Sequence, residues 1–509
     1  METKRTIGVL VATCMFLTLP ASSFAQDGGT GDPTGLIASD NISLIGTIPN
    51  PGVIGARFRD DVMYVTSLAG LFTYDVSDPA DPKELGRLPL PHFENEDVDL
   101  GGNILLISND AAESTGILYV IDISDPSDPK ELSRLQMGGN PLLAGPGHTA
   151  SCILDCRFAW VTDNDRIRVI DLRDPAVPVS KGSFATPAGG GIVTHDVQVD
   201  GNGLAWVVGF GGAAAYRIPQ GYDGTGLGDL VAKTDARGMS TYLNELGLGD
   251  GSKPNDFVLH NSTRRRDDGV VFITEEDYSR PGCRGAGSFA SWNLPLAVDE
   301  DGNTTGDPSG EDLSVLDMWT TELLEDAAQP AAVCSAHYFD LRSNVVAQGW
   351  YEQGLRVLDV SDPADIKQVG YWIPPTAATW AAHFPPTDPK GRIIYVLDAT
   401  HGIDVLDYDR PVTGPLAEGC GEPQDPPGED GDAGGKALGH SKGKARGRAA
   451  GHGTPDGSDE PPPACKQGEP SQAVRAPVAP AWRVSPPTSG LPSRGFGYAC
   501  RFGLGLTVG

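Results

Sequence analysis

The residues best suited to chemistry are histidines. Of the nine in the chain, His92, His148, His195, His260, His337 and His383 fall between recurring segments rather than inside them. Five enter stretches that lead into an apolar strand, as in His195-Asp196-Val197-Gln198-Val199 and His337-Tyr338-Phe339-Asp340-Leu341. His148 precedes Thr149 to Ile153, and His383 precedes the segment that ends in Ile393-Ile394-Tyr395-Val396. His92 instead precedes Glu94, Glu96 and Asp97. If those strands all start at one end of a closed ring, residues far apart in sequence converge on its axis. His148, His195, His260, His337 and His383, with Glu96 beside them, are then candidate ligands for Zn, Cu or Fe, the ions that imidazole holds best. An open coordination position would permit Lewis-acid or oxygen chemistry. The competing reading is a wet channel whose imidazoles bond to backbone and water.

Thr274-Glu275-Glu276-Asp277-Tyr278, at the end of the apolar run Val270 to Ile273, offers Glu275 as a candidate general base or ligand-orienting group. A solvated acidic loop is the alternative. Asp223 to Asp229 and Asp299 to Asp307 are acidic and Gly-rich enough to suggest Ca²⁺, but neither has the spacing of an EF-hand loop. No G-x-S-x-G elbow, phosphate-binding Gly loop with Lys, or H-E-x-x-H is written anywhere.

The elements that must position these residues come from a repeat. YDVSDPADP ends at Pro82, and IDISDPSDP (121–129), IDLRDPAVP (170–178) and LDVSDPADI (358–366) repeat its anatomy. In each, an alternating apolar run reads as a strand and Asp-Pro text as a turn. A second strand follows, such as Lys130 to Leu135. Asp bonds the backbone of its own turn and Pro fixes φ, so these residues serve architecture. Aligning degenerate copies on the residue after the apolar run gives Asp75, Asp122, Asp171, Arg217, Asn293, Asp359 and Asp407. The spacings are 47, 49, 46, 76, 66 and 48 residues. That unit is the length of a four-stranded propeller blade, with insertions in the two long intervals. The last unit lacks its final strand, and an orphan strand, Ile42 to Ile48, stands before the first. The chain therefore predicts an all-β, seven-bladed β-propeller over 41–411, closed by its N-terminal strand.

LYVIDISDPSDP and LRVLDVSDPADI resemble the LVIVD repeat of secreted bacterial proteins. The resemblance spans 41 to about 411 and is weakest where Arg217 and Asn293 replace Asp. It implies a β-propeller and export, and no particular reaction.

The remaining text bounds the setting. Lys4-Arg5, an apolar stretch from Ile7 to Leu19 and Ser23-Phe24-Ala25 read as a signal peptide over 1–25, followed by a linker over 26–40. No second stretch is long and apolar enough to span a membrane. The mature protein is expected to be exported, whether secreted, periplasmic or at the cell surface, and monomeric. A formal net charge of −30 argues against nucleic acid or anionic lipid as partner. The default reading is a binding scaffold that docks protein, glycan or a surface polymer through its loop face and central channel, and the alternative is a metal-dependent hydrolytic or oxidative enzyme. An oxidising compartment suits disulfides at Cys152–Cys156 and Cys283–Cys334, with zinc as a rival for the first pair. Cys420, Cys465 and Cys500 lie in a Pro/Gly-rich tail, 412–509, which has too few large apolar residues to form a core and is expected to be disordered.

Overall fold

The computed structural model describes residues 35–90, 98–109, 116–138, 146–234, 258–265, 268–277, 287–321 and 334–410. Residues 1–34, which include the stretch expected to be a signal peptide, lie outside the described residues, as do Glu96, Cys283 and the expected tail, 412–509.

Seven antiparallel sheets follow one another around a ring, at 53–89, 98–138, 150–185, 194–233, 258–319, 339–373 and 379–408. They are numbered here as blades 1 to 7. Each of the seven repeat anchors falls at the end of a third strand: Asp75, Asp122, Asp171, Arg217, Asn293 and Asp359 as the last residue, and Asp407 next to last. In the four Asp-Pro copies the anchor carboxylate accepts the amide two residues on, at 2.9–3.1 Å. The Asp of the following Asp-Pro pair does the same, at 2.9–3.2 Å. These are the turn-capping bonds expected of Asp.

Second strands are buried on both faces, and their alternation divides them between two gaps. In blade 2, Leu105 and Ile107 pack toward blade 1 and Leu106 toward blade 3. Seven apolar cores result, one in each gap between blades. Ile42–Ile48 supplies the missing strand of blade 7, pairing antiparallel with Gly402–Tyr408 in the register Ile42↔Tyr408 to Ile48↔Ile403. This ladder joins the two ends of the ring. Ile42 and Ile48 are buried on either side of it, in the 6–7 and 7–1 gaps.

The predicted linker departs from expectation at its end. Ile37–Ala38 adds a fifth strand to the edge of blade 6, opposite Ile373 and Trp372. An extended chain beside an open sheet edge gains ladder bonds there. The long intervals resolve in part into a hairpin, Leu296–Val298 with Thr304–Pro308, inserted between the third and fourth strands of blade 5.

Cys152 and Cys156 are disulfide-bonded across the turn between the first two strands of blade 3. Leu154, Asp155 and Cys156 all have positive φ, near 55°, a run that costs L-residues energy and that the crosslink holds closed. Cys334 is also disulfide-bonded, while its predicted partner Cys283 lies outside the described residues.

Deleting residues 41–49 removes both buried isoleucines and exposes the edge of Gly402–Tyr408. The melting temperature should then fall by at least ~5 °C, and an unchanged curve would mean that another contact closes the ring. Non-reduced peptide mapping should recover Cys152 and Cys156 in one crosslinked peptide. Breaking that small loop should cost about 2 kcal/mol.

Candidate metal centre at one channel mouth

The first strands of the seven blades lie side by side around the axis and all run the same way. A single register position therefore repeats seven times. The residue paired with the third residue of the second strand is Arg57, Asp99, Ser151, Gln198, Thr263, Asp340 or His383 in blades 1 to 7. All seven are polar. Three positions upstream, at the mouth where the first strands begin, stand Ile54, His148, His195, His260, His337 and Trp380 in the six blades described there. Four consecutive blades thus deliver histidine to one rim.

Local backbone aims them. The ladder between first and second strands is broken between Thr194 and Asp196, between Leu259 and Ser262, and between Thr379 and Ala381. His195, His260 and Trp380 sit in these bulges, which re-aim side chains beside functional sites. Hydroxyls from the second strands hold the backbone next to the histidines. Thr162 Oγ1 accepts the amide of Thr149 at 3.0 Å, and Thr274 Oγ1 accepts that of Asn261 at 3.1 Å. The histidine carbonyls are also held: Ser108 Oγ donates to His148 O at 2.8 Å, and Gln348 Nε2 to His337 O at 3.1 Å.

The four imidazoles form a continuous arc, with ring centroids 4.5, 4.0 and 4.1 Å apart along His148–His195–His260–His337. His148 Nε2 and His195 Nε2 are 3.0 Å apart. Two bare lone pairs repel at that distance, so a proton or a cation must lie between them. Glu276, from the second strand of blade 5, closes the arc. Its Oε2 is 3.7 Å from His195 Nε2 and 3.9 Å from His260 Nε2, and its Oε1 is 3.9 Å from His337 Nε2. His337 Nδ1 lies 2.8 Å from the carbonyl of Trp380, which only accepts. Nδ1 therefore carries the proton, and the neutral ring keeps its Nε2 lone pair for the centre. All of these side chains are buried.

Spacings of 3.0 Å between the His148 and His195 nitrogens and of 3.7–3.9 Å from Glu276 to three rings bracket the edge of about 3.3 Å that a tetrahedral ion with bonds near 2.05 Å requires. His195, His260 and Glu276 alone place one donor atom each within 4.8 Å of one another, the one such triad among the described residues. The donor set of several imidazole nitrogens and one carboxylate suits Zn, Cu or Fe.

Two expected residues lie elsewhere. His383 ends the first strand of blade 7, and the apolar segment expected to follow it, Ile393–Asp398, is the second strand. It therefore stands three positions deeper, in the polar ring, rather than with the other four histidines. Burial pushes its pKa down to about 3, and repulsion from Arg57 acts in the same direction. Glu275 points away from the centre, because neighbours in a strand face opposite ways. Its Oε2 accepts Ser288 Oγ at 3.1 Å, and Glu276 takes the central place. Two adjacent Glu after an apolar run carry no signal that separates them until the strand's register is known. Glu96 falls at the rim position of blade 2 by sequence, outside the described residues. The suggested Ca²⁺ loops spend their leading carboxylates on their own turns. Asp223 Oδ1 accepts the Thr225 amide, and Asp299 Oδ1 those of Asp301 and Asn303.

In the deeper ring Arg57 acts on four groups from other blades. Asp99, Asp196 and Asp340 are pushed above the usual carboxylate range by burial, and the Arg57 guanidinium opposes that shift in each. His383 is the fourth.

Residues 107–136 match the LVIVD repeat. The fold is similar to the β-propeller domain of Cps50 (Swd1) from Myceliophteria thermophila, at 11% identity and TM-score 0.48 over 72% of this chain and 100% of that one. It is also similar to the WD40 repeats of RRP9, at 10% identity and TM-score 0.46 over 73% and 98%. No curated protein matches the chain.

A buried histidine that stays neutral supports folding above pH 6.5. That support is lost as pH falls from 6.5 toward about 3, where the unfolded chain takes a proton the native site refuses. His383→Gln should therefore lose less melting temperature across that window than the wild type, and should keep any metal the rim binds. An unaltered acid profile would place the titration elsewhere.

Proposed function

We propose that this LVIVD-repeat propeller is an exported, metal-dependent enzyme whose centre is the four-histidine arc and Glu276 at one channel mouth. The observation that carries the reading is the pair His148 Nε2 and His195 Nε2, 3.0 Å apart, with Glu276 Oε2 3.7 Å from the second ring. Four buried imidazoles, tilted 42–79° from ring to ring, would gain little from being gathered without a shared cation and would lose their hydration. A bound ion turns the same crowding into coordination. In this reading His195, His260 and Glu276 hold the ion, and His148 and His337, at the two ends of the arc, are further ligands or hydrogen-bond to a bound water.

A zinc ion here would lower the pKa of a bound water toward about 7 and favour hydrolysis; copper or iron would favour oxygen chemistry. The chain's own residues fix the donors, exclude bulk water on the buried side and leave the mouth as the route for substrate. Export is supported by the basic-apolar-small pattern of residues 1–25 and by the Cys152–Cys156 disulfide, which suits an oxidising compartment.

A second reading, a binding scaffold for protein, glycan or surface polymer, draws on the opposite face. There the Asp-Pro turns present exposed acidic pairs, Asp78 and Asp81, Asp125 and Asp128, Asp362 and Asp365. Propeller faces of this kind commonly dock partners.

Elemental analysis separates the two. Protein purified from its native host should carry one transition-metal ion per chain. The double variant His195→Ala/His337→Ala should carry none while keeping its circular dichroism spectrum. Metal-free native protein would overturn the enzyme reading and leave the scaffold.

A further inference from the structure

The rim has seven positions, and four of them carry the imidazoles just described. Blade 6 contributes a second group by another route. Its second and third strands, Val345–Gly349 and Leu355–Asp359, are joined by Trp350-Tyr351-Glu352-Gln353-Gly354. The corresponding link in blade 1 is the pair Leu68-Ala69, and in blade 4 the pair Phe210-Gly211. The longer link of blade 6 carries Tyr351 over the mouth. Its phenol donates to Glu276 Oε1 at 2.6 Å. Its ring lies 4.7 Å from that of His337 and 5.6 Å from that of Trp380.

The backbone there is forced. Tyr351 has φ +26°, a region that bulky residues avoid. It is pinned on both sides. Gly354 N donates to Tyr351 O at 3.2 Å, and Thr379 N of the next blade donates to the same oxygen at 2.9 Å. Trp350 N donates to Gly354 O at 2.9 Å and Gln353 N to Trp350 O at 2.6 Å. Strain that a surrounding network over-determines is a recurrent mark of functional positions.

Resting on the metal-centre reading, we propose that Tyr351 is a positioning residue that holds Glu276 toward the metal. The short O–H···O bond makes Oε1 the acceptor and fixes the plane of the Glu276 carboxylate. Oε2 is left directed at His195 and His260, the two rings with which Glu276 forms the compact triad. The rim is thereby divided. Blades 3 to 6 supply imidazoles and blade 5 the carboxylate, while blades 6 and 7 also supply the groups that orient them: Tyr351 for Glu276, and the Trp380 carbonyl for His337. Partners of this kind alter metal affinity by about 10- to 100-fold when removed.

The test is titration of the metal-free protein with Co²⁺, followed by calorimetry and by the visible absorption of the bound ion. Four proteins are compared: wild type, Tyr351→Phe, Glu276→Gln and the double variant. Phe keeps the ring packing against His337 and Trp380 and removes only the hydroxyl. Tyr351→Phe should weaken Co²⁺ binding by about tenfold and shift the absorption bands, with the metal-free melting curve unchanged. In the Glu276→Gln background the same change should have no further effect, because the carboxylate it orients is gone. Equal affinity and identical bands in wild type and Tyr351→Phe would overturn the positioning role while leaving the metal centre standing. A full Tyr351→Phe effect persisting in the Glu276→Gln background would also overturn it. A wild type that binds no Co²⁺ would overturn the metal reading itself, and this role with it.

Discussion

The structure depends first on the ladder between Ile42–Ile48 and Gly402–Tyr408. A row of blades has two raw edges, each a line of unpaired amides and carbonyls, and curvature alone brings them near without joining them. One strand taken from the front of the chain and paired with the last blade turns the row into a ring. Closure then fixes the angle between every pair of neighbours. The seven inter-blade cores, each filled by alternate faces of adjacent sheets, are satisfied together or not at all.

Closure also gathers the rim histidines. Because every first strand starts at the same mouth, any one register position is presented seven times to a common axis. Evolution of a site on such a frame needs no loop design, only side-chain choice at equivalent positions. Two tiers show this. The rim carries His148, His195, His260 and His337 beside Trp380 and Ile54. The deeper tier, entirely polar, surrounds Arg57 with Asp99, Asp340 and His383. Bulges carry His195, His260 and Trp380, and Thr hydroxyls from the second strands hold the backbone after His148 and His260. The rim histidines and the backbone that aims them are thus parts of one device.

Much of this was legible in the sequence, and the reason is periodicity. The Asp-Pro turns locate the third strands because Asp and Pro each have a local physical preference that a reader can apply without tertiary knowledge. The orphan strand followed from counting. His148, His195, His260 and His337 could be read because each directly enters or precedes a first strand. His383 misled because the segment after it is also apolar; whether that segment is a first or a second strand depends on pairing, which no local pattern states. Glu276 and Tyr351 were not legible. The choice between Glu275 and Glu276 turns on which face of a strand looks inward, and Tyr351 reaches the site through a loop whose course is set by its contacts with the next blade.

The most direct test of the account is anomalous diffraction from crystals of the native-host protein, collected at the absorption edge of the metal it carries. The account predicts one peak per chain, bonded to Nε2 of His195 and His260 at about 2.0–2.1 Å, within reach of Glu276. An arc without such a peak, its imidazoles bridged by protons or water, would contradict it.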